Sequence, residues 1–230
     1  MIQNIRDLGG IRTTDGRTIR RGMLVRSAQL SQAEEQDLAG IAAVIDLRSI
    51  AEREEMPDQA CGREYLPLPI FETMNAGISH EEGADENLIP DMAILYSLLM
   101  KQHADSFGRV LRAVMNHDFS KGAILWHCSE GKDRCGITAA LVLEALGVDR
   151  ETILEDYLKT NLVNLPKAEK IRERLLVSRG KEFADGAYQA YIADARYLRA
   201  AWEEMGSDFI RGKLGISEED LEAFRNRVLE

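Results

Sequence analysis

The sequence lacks the features that would mark a disulfide-rich, nucleic-acid-binding or membrane-spanning protein. It contains three cysteines, an odd number whose spacing fits neither a disulfide scaffold nor a structural zinc cluster. It has no run of lysines and arginines, and its formal net charge of −10 disfavours extended contact with nucleic-acid phosphates. Its longest apolar stretches are too short to cross a bilayer. The thiols are therefore expected to be reduced.

The first ten residues also lack the charged and then apolar pattern of a secretory signal peptide. We therefore expect a cytoplasmic protein with no integral membrane segment and no nucleic-acid partner. A chain of 230 residues, of which 45% are hydrophobic, is long enough to build one sizeable core. Because no linker, repeat or low-complexity tract divides it, a single domain is predicted over residues 1–230.

Short apolar and β-branched runs predict the strands of a sheet. The run 41–47 is typical of a buried strand, and 121–126 is too short for a helix and predicts a central strand. Two prolines in 63–70 favour an edge position for that strand. The polar residues 71–90 are predicted to form a long loop, which is a candidate lid.

Helical periodicity dominates the remaining chain. Ser31 and Glu34 have the spacing of a capping box that opens a short helix. Longer helices are predicted at 91–102, 106–117, 134–146, 149–160, 164–179, 187–205 and 217–229. Alternating strands and helices favour the α/β class, with a central, mainly parallel sheet of about four or five strands flanked by helices. The C-terminal third is predicted to be rich in helix.

The segment HCSEGKDRCG, residues 127–136, lies between the predicted central strand and a predicted buried helix. A helix N-terminus carries unpaired N–H groups and a partial positive charge, which favour a bound anion. Gly131 and Gly136 would let backbone amides point towards that anion without a Cβ clash. Arg134 supplies a planar fork that matches two phosphate oxygens. The segment therefore predicts a phosphate-binding loop.

Cys128 gives this predicted loop a nucleophile. A free thiol has a pKa of about 8.5, which a helix N-terminus and a nearby arginine lower. The thiolate would attack the bound phosphorus, and water would then hydrolyse the phosphocysteine. The residues predicted to surround the phosphate oxygens and stabilise their charge are Ser129, Glu130, Gly131 and Lys132. For Glu130 we expect the backbone amide, and not the carboxylate, to face the ligand.

The leaving oxygen needs a proton, and the chain offers three candidate acids. Asp133 is the first candidate because it lies within the loop itself. Asp85 and Asp91, in or beside the long loop, are the alternatives if Asp133 points away. His127 is predicted to order the loop through hydrogen bonds.

These residues resemble the signature of the protein tyrosine phosphatases, a cysteine and an arginine separated by five residues. More narrowly, HCSEGKDRCG is similar to the HCxxGKDRTG loop of atypical bacterial tyrosine-protein and lipid phosphatases. Residues 4–31 (NIRDLGGIRTTDGRTIRRGMLVRSAQLS) and 44–54 (VIDLRSIAERE) are similar to other parts of that group. The segment LEDYLKTN and the C-terminal tail are also similar to it, so the resemblance covers most of the chain.

The resemblance implies a fold, a mechanism and a substrate class. The fold would be that of a protein tyrosine phosphatase, with Cys128 as the nucleophile, Arg134 as the phosphate binder and Asp133 as the acid. Lys132 would reach the phosphate or a second anionic group. The substrate would be a phosphorylated protein, foremost at tyrosine, or a phosphoinositide. Inorganic phosphate or sulfate would fit the loop, and no metal or organic cofactor would be needed.

The chain departs from the group at Cys135, where threonine or serine is usual. A thiol is a weaker donor than a hydroxyl, so hydrolysis of the phosphocysteine would be slower. Two other interpretations stay open: a reversible disulfide with Cys128 under oxidant, and a small buried side chain without a chemical role.

Two other functions also stay open. A sulfurtransferase or an arsenate reductase places a reactive cysteine in an anion-binding loop, although the GKDR context disfavours both. A phosphate-binding module with little turnover is the third interpretation, because Cys135 replaces the usual hydroxyl.

Among weaker signals, Asp46 and Arg48 end a strand and are predicted to support the loop. Arg6 and Asp7 give a similar signal, and the alternative to a supporting role is a buried ion pair that braces the N-terminal segment.

Overall fold

The computed structural model describes residues 2–71, 89 and 91–230, and the strands within these ranges form one sheet. The strands are β1 Arg6–Asp7, β2 Leu24–Ser27, β3 Ile41–Asp46, β4 Glu64–Pro67 and β5 Ala123–His127. Their spatial order is β1-β2-β5-β3-β4, in which β1 is antiparallel to β2 and all other pairs are parallel. The predicted mainly parallel sheet is confirmed.

The sheet places β5 at its centre, between β2 and β3, as the short run 121–126 predicts. β4 lies at one edge, in agreement with the two prolines of 63–70. Because β2, β5 and β3 are parallel, their carboxyl ends lie at the same edge of the sheet. The residues that follow β5 and β3 are therefore close together, and this edge carries the site described below.

Side chains of β5 alternate between two apolar clusters because successive residues of a strand point to opposite faces. Ile124 and Trp126 belong to the larger cluster, which α-helices cover. Ala123 and Leu125 belong to a smaller cluster, whose other buried members lie within the first 44 positions. The whole of β5 is buried, so its end is held firmly from both faces.

Eight α-helices accompany the sheet in the described part of the chain. They are α1 Ile50–Glu55, α2 Met92–Asn116, α3 Asp133–Ala145, α4 Arg150–Leu158, α5 Asn161–Ser178, α6 Lys181–Tyr191, α7 Ala195–Met205 and α8 Glu218–Val228. The prediction of a helix-rich C-terminal third is confirmed. None of the helices in residues 2–71 and 91–230 combines the length and the apolar character that a bilayer crossing requires.

Helix boundaries differ from the prediction in three places. The two helices predicted at 91–102 and 106–117 are one helix, α2, with non-helical backbone at His103. The single helix predicted at 187–205 is interrupted, because α6 ends at Tyr191 and the side chain of Asp194 caps α7. The capping box predicted at Ser31 is wrong. Glu34 is itself the N-cap of a short 3-10 helix, Glu35–Leu38.

The predicted lid at 71–90 lies outside the described residues, apart from its positions 71 and 89.

A buried ion cluster ties the N-terminal segment to α4. Asp156 accepts hydrogen bonds from Arg26 Nη1 at 3.0 Å and from Arg6 Nε at 2.9 Å. Arg6 is therefore part of an ion pair that braces the N-terminal segment, whereas Asp7 accepts hydrogen bonds from the backbone N–H groups of Gly9 and Gly22. Burial opposes ionisation of Asp156, but the two arginines lower its pKa overall.

Replacing Asp156 by Asn is expected to destabilise the fold strongly. Two arginines would lose their counter-charge, and an unpaired buried charge costs about 3–5 kcal/mol of unfolding free energy. Urea unfolding of the variant and the parent protein measures the difference. The matched control is Asp118→Asn, an exposed aspartate, which should leave the unfolding midpoint unchanged. Equal midpoints for Asp156→Asn and the parent protein would contradict this role of the cluster.

Candidate active site

Residues 128–132 form a loop between the end of β5 and the start of α3. Gly131 has φ +68°, in the left-handed region that favours glycine. A Cβ atom at this position would lie 2.7 Å from Ser27 O and 2.8 Å from Ala28 N. Both conformation and space therefore require glycine, as the sequence predicts. Glycine is required at position 136 for a different reason, because a Cβ atom there would lie 2.8 Å from the ring of Tyr157. The amide of Gly136 donates to Lys132 O within the helix and does not face the loop interior, contrary to the prediction.

Carbonyl oxygens of the loop are held on its outer side. Gly131 O accepts hydrogen bonds from Arg26 Nη2 at 2.9 Å and from Asn4 Nδ2 at 3.0 Å, and Glu130 O accepts a second one from Asn4 at 3.2 Å. Because the C=O and N–H of a peptide plane point in opposite directions, outward carbonyls direct the next amides inward. The loop and the N-terminus of α3 therefore form one concave set of donors. Neither Asn4 nor Arg26 was predicted from the sequence to hold the loop.

Cys128 is buried at the start of this loop, and its thiol is acidic. A hydrogen bond from the Cys135 thiol, the charge of Arg134 and the Cys135 backbone N–H lower the pKa of Cys128 to about 6, against the opposing effect of burial. Burial and the neighbouring Cys128 raise the pKa of Cys135 well above its usual value, so Cys135 stays protonated. Its S–H also lies near the carbonyl oxygens of Ser27, at 3.6 Å, and Trp126, at 4.0 Å. Cys128 therefore ionises more readily than an ordinary cysteine.

Arg134 is held by a carboxylate that the sequence analysis did not single out, Glu52 on α1. Its Nη1 and Nη2 each donate to one oxygen of Glu52 at 2.6 Å. Burial opposes ionisation of Glu52, but the ion pair with Arg134 and a hydrogen bond from Ser129 lower its pKa to about 2. The Ser-x-x-Glu spacing of Ser49 and Glu52 forms a capping box. That spacing signals a helix start, but not the contact with Arg134.

Arg134 keeps N–H groups for an oxyanion. Its contacts with Leu47 O and Ser129 Oγ are long, at 3.4 and 3.3 Å. Among the described residues, every hydrogen bond that Arg134 donates comes from Nη1 or Nη2, and none from Nε. The ring of Phe71 lies against the guanidinium, with its centroid 4.8 Å from Cζ. Glu52 thus orients the guanidinium through one N–H of each terminal nitrogen, which leaves Nε and the two donors of the long contacts for a ligand.

Asp133 is the first residue of α3 and is largely buried. Its Oδ1 accepts a hydrogen bond from the hydroxyl of Tyr96, on α2, at 2.8 Å. Its negative charge opposes ionisation of Cys128 and slightly offsets the effects that lower the pKa of that thiol. Of the alternative acids, Asp91 is the N-cap of α2 and accepts from two backbone N–H groups there. Asp85 lies outside the described residues.

Side chains of the central loop residues all have protein partners. Ser129 Oγ donates to Glu52, and Glu130 forms a salt bridge with Lys167 of α5 at 2.6 Å. Lys132 Nζ is buried, donates to the backbone carbonyls of residues 190 and 192, and lies 3.2 Å from Asp133 Oδ1. Contact between Lys132 and a second anionic group would require its ammonium to leave these carbonyls. The loop thus presents mainly its backbone to a ligand.

A second buried ion cluster supports the loop from the side of β3. Arg48 Nη2 lies 2.8 Å from both Asp46 Oδ2 and Asp58 Oδ2, and His127 Nε2 lies 2.9 Å from Asp58 Oδ2. The hydroxyl of Tyr65 donates to Asp46 at 2.6 Å. Asp46, Asp58 and His127 have the donor atoms of a metal site, but Arg48 already places a positive charge between the carboxylates. The predicted supporting role of Asp46 and Arg48 agrees with this arrangement.

The family of the chain follows from comparison with known proteins. The model of the tyrosine phosphatase family matches residues 1–230. The chain therefore belongs to the tyrosine phosphatase family, as the resemblance of its loop predicts.

Two curated relatives and one solved structure are similar to the chain. A candidate tyrosine-protein phosphatase of Cupriavidus necator, H16_A0669, is 31% identical over 71% of this chain. The triple specificity protein phosphatase PtpB of Mycobacterium tuberculosis is 33% identical over 69% of it. The matches span 62% and 66% of those relatives' own lengths, less than two thirds in each case. The structure of TpbA from P. aeruginosa is 20% identical, covers 81% of this chain and 91% of TpbA, and has a TM-score of 0.36.

Replacing Cys135 by Ala is expected to raise the pKa of Cys128, because the S–H donor to the thiolate is lost. Alkylation of the Cys128 peptide by iodoacetamide, followed by mass spectrometry across pH, should give an inflection near pH 6 in the parent protein and at higher pH in the variant. Cys135→Ser keeps a donor and is the matched control, with an inflection no higher than that of the parent. An unchanged inflection in Cys135→Ala would contradict this origin of the acidity.

Proposed function

We propose that the protein is a cysteine-dependent phosphomonoester hydrolase, foremost a protein-tyrosine phosphatase, with dual-specificity or phosphoinositide activity as an extension. The observation that carries this proposal is the acidic Cys128 thiol, with a pKa of about 6, next to the oriented fork of Arg134. A thiolate and a guanidinium beside inward-facing amides are suited to capture a phosphate dianion and attack its phosphorus. Membership of the tyrosine phosphatase family supports the same reaction.

The first step transfers the phosphoryl group to sulfur. The thiolate of Cys128 forms an S–P bond while the P–O bond of the ester breaks, and Asp133 gives its proton to the leaving oxygen. Backbone amides of the four loop residues, Ser129, Glu130, Gly131 and Lys132, stabilise the equatorial oxygens together with Arg134.

The second step hydrolyses the phosphocysteine. Asp133, now a carboxylate, takes a proton from water while the water oxygen bonds to phosphorus and the S–P bond breaks. The electron pair returns to Cys128, whose thiolate accepts the hydrogen bond of Cys135. Inorganic phosphate leaves, and both residues regain their starting states. Because an S–H group is a weaker donor than a hydroxyl, this step is expected to be slower than in a threonine variant.

The substrate class follows from the loop and its surroundings. A phosphorylated protein is favoured because the chain belongs to the tyrosine phosphatase family, and PtpB is named for protein phosphatase activity of triple specificity. Phosphoinositide activity would draw on Lys132, after its release from two carbonyls.

We further propose one phosphatase domain over residues 1–230 and a cytoplasmic location. The three free cysteines support the latter, because Cys128 must be reduced to act.

Hydrolysis of an aryl phosphate is the test. We expect turnover by the parent protein, its loss in Cys128→Ser, and a loss of about 100-fold or more in kcat/KM for Arg134→Lys, which lacks the planar fork. Cys61→Ser is the matched control, because Cys61 is a half-buried thiol outside the loop and should be dispensable.

Two other outcomes would replace the proposal. Phosphate binding without turnover would indicate a binding module, and thiocyanate formation from thiosulfate would indicate a sulfurtransferase.

A further inference from the structure

Tyr96 is a buried tyrosine whose hydroxyl is hydrogen-bonded to the proposed acid, Asp133. It lies in the middle of the apolar core on α2 and is fully buried. Its hydroxyl donates to Asp133 Oδ1 at 2.8 Å and lies 2.6 Å from the hydroxyl of Tyr157, on α4. Burial, and then the charge of Asp133, raise the pKa of Tyr96 well above its usual value, so this hydroxyl keeps its proton.

The directions of these hydrogen bonds are fixed by proton count. A tyrosine hydroxyl has one proton to donate, and Tyr96 donates it to the carboxylate of Asp133. In the contact between the two tyrosines, Tyr157 must therefore be the donor. The chain of hydroxyls is polarised from Tyr157 through Tyr96 towards Asp133, which strengthens the last hydrogen bond.

The two oxygens of Asp133 differ as a result. Oδ1 receives the Tyr96 hydroxyl and lies 3.2 Å from the ammonium of Lys132. Within the described part of the chain, no hydrogen bond or salt bridge reaches Oδ2. A proton on Oδ1 would face two donors, so the proton of the neutral acid belongs on Oδ2. The oxygen that can exchange a proton with substrate is therefore Oδ2.

We propose that Tyr96 is a positioning residue that anchors Asp133 through Oδ1 and reserves Oδ2 for proton transfer to the leaving group, with Tyr157 as its support. This inference rests on the proposed function, since it concerns the acid of that reaction. Tyr96 touches no reacting atom and acts only through Asp133. Its hydrogen bond also stabilises the carboxylate that forms when the proton leaves, so it favours the transition state over the neutral acid.

The test compares two substrates that differ in their need for an acid. Phenyl phosphate has a basic leaving group that needs a proton, whereas 2,4-dinitrophenyl phosphate leaves without one. In Tyr96→Phe we expect kcat/KM for phenyl phosphate to fall about 10-fold, a fraction of the 10²–10⁴ that general acid catalysis supplies. The value for 2,4-dinitrophenyl phosphate should stay within about twofold.

Controls separate this role from core packing. Tyr197→Phe is the matched control, because its ring packs 5.8 Å from that of Tyr96 while its hydroxyl donates to Gln189. It should change neither substrate's kcat/KM. Tyr157→Phe removes only the supporting donor and should lower kcat/KM for phenyl phosphate about two- to threefold, a weaker form of the same selectivity. This second variant keeps the inference testable if Tyr96→Phe fails to fold.

The outcomes are distinct. A selective loss with phenyl phosphate supports the positioning role. Equal losses with both substrates, or no loss with either, in the folded variants would overturn it. If the parent protein hydrolyses neither phosphate ester, the proposed function itself fails, whereas ratios between variant and parent test only the role of Tyr96.

Discussion

The carbonyl oxygen of Gly131 is turned away from the interior of the phosphate loop, and the site depends on the two hydrogen bonds that keep it there. Arg26 and Asn4 supply them. Arg26 is in turn held by Asp156, which connects α4 and the N-terminal segment to the loop. With its carbonyls bound outside, the loop turns its amides inward towards Cys128. The fold thus creates an anion site from backbone groups before any charged side chain takes part.

The buried charged side chains around this loop form ion pairs, and these pairs determine which donors remain for a ligand. Glu52 orients Arg134 but leaves N–H groups for an oxyanion. Arg48 is shared by two carboxylates on the side of β3. Cys128 differs, because its thiolate is stabilised mainly by a thiol, by Arg134 and by a backbone amide, without a cation bonded to it alone. Within the described residues, Cys128 therefore has no ion-pair partner of its own, and its sulfur remains available as a nucleophile.

The sequence was sufficient for features whose causes are local. The central strand, the strand at the edge, the glycine at position 131 and the spacing of Cys128 and Arg134 lie within short windows, and each was predicted. Glu52 and Tyr96 were missed, although they hold Arg134 and Asp133. Their partners lie 82 and 37 positions away along the chain, so only the folded topology brings them together. Some helix ends were predicted wrongly for a related reason. Packing against the rest of the fold determines where a helix ends, and α2 continues beyond the non-helical backbone at position 103.

The most direct test of the account is a crystal structure with vanadate, which mimics the phosphoryl group in transfer. We expect vanadium bonded to Sγ of Cys128, equatorial oxygens on the amides of the loop and on Arg134, and Oδ2 of Asp133 facing the apical oxygen. Vanadate bound away from the sulfur, or a loop whose carbonyls face the ligand, would contradict it.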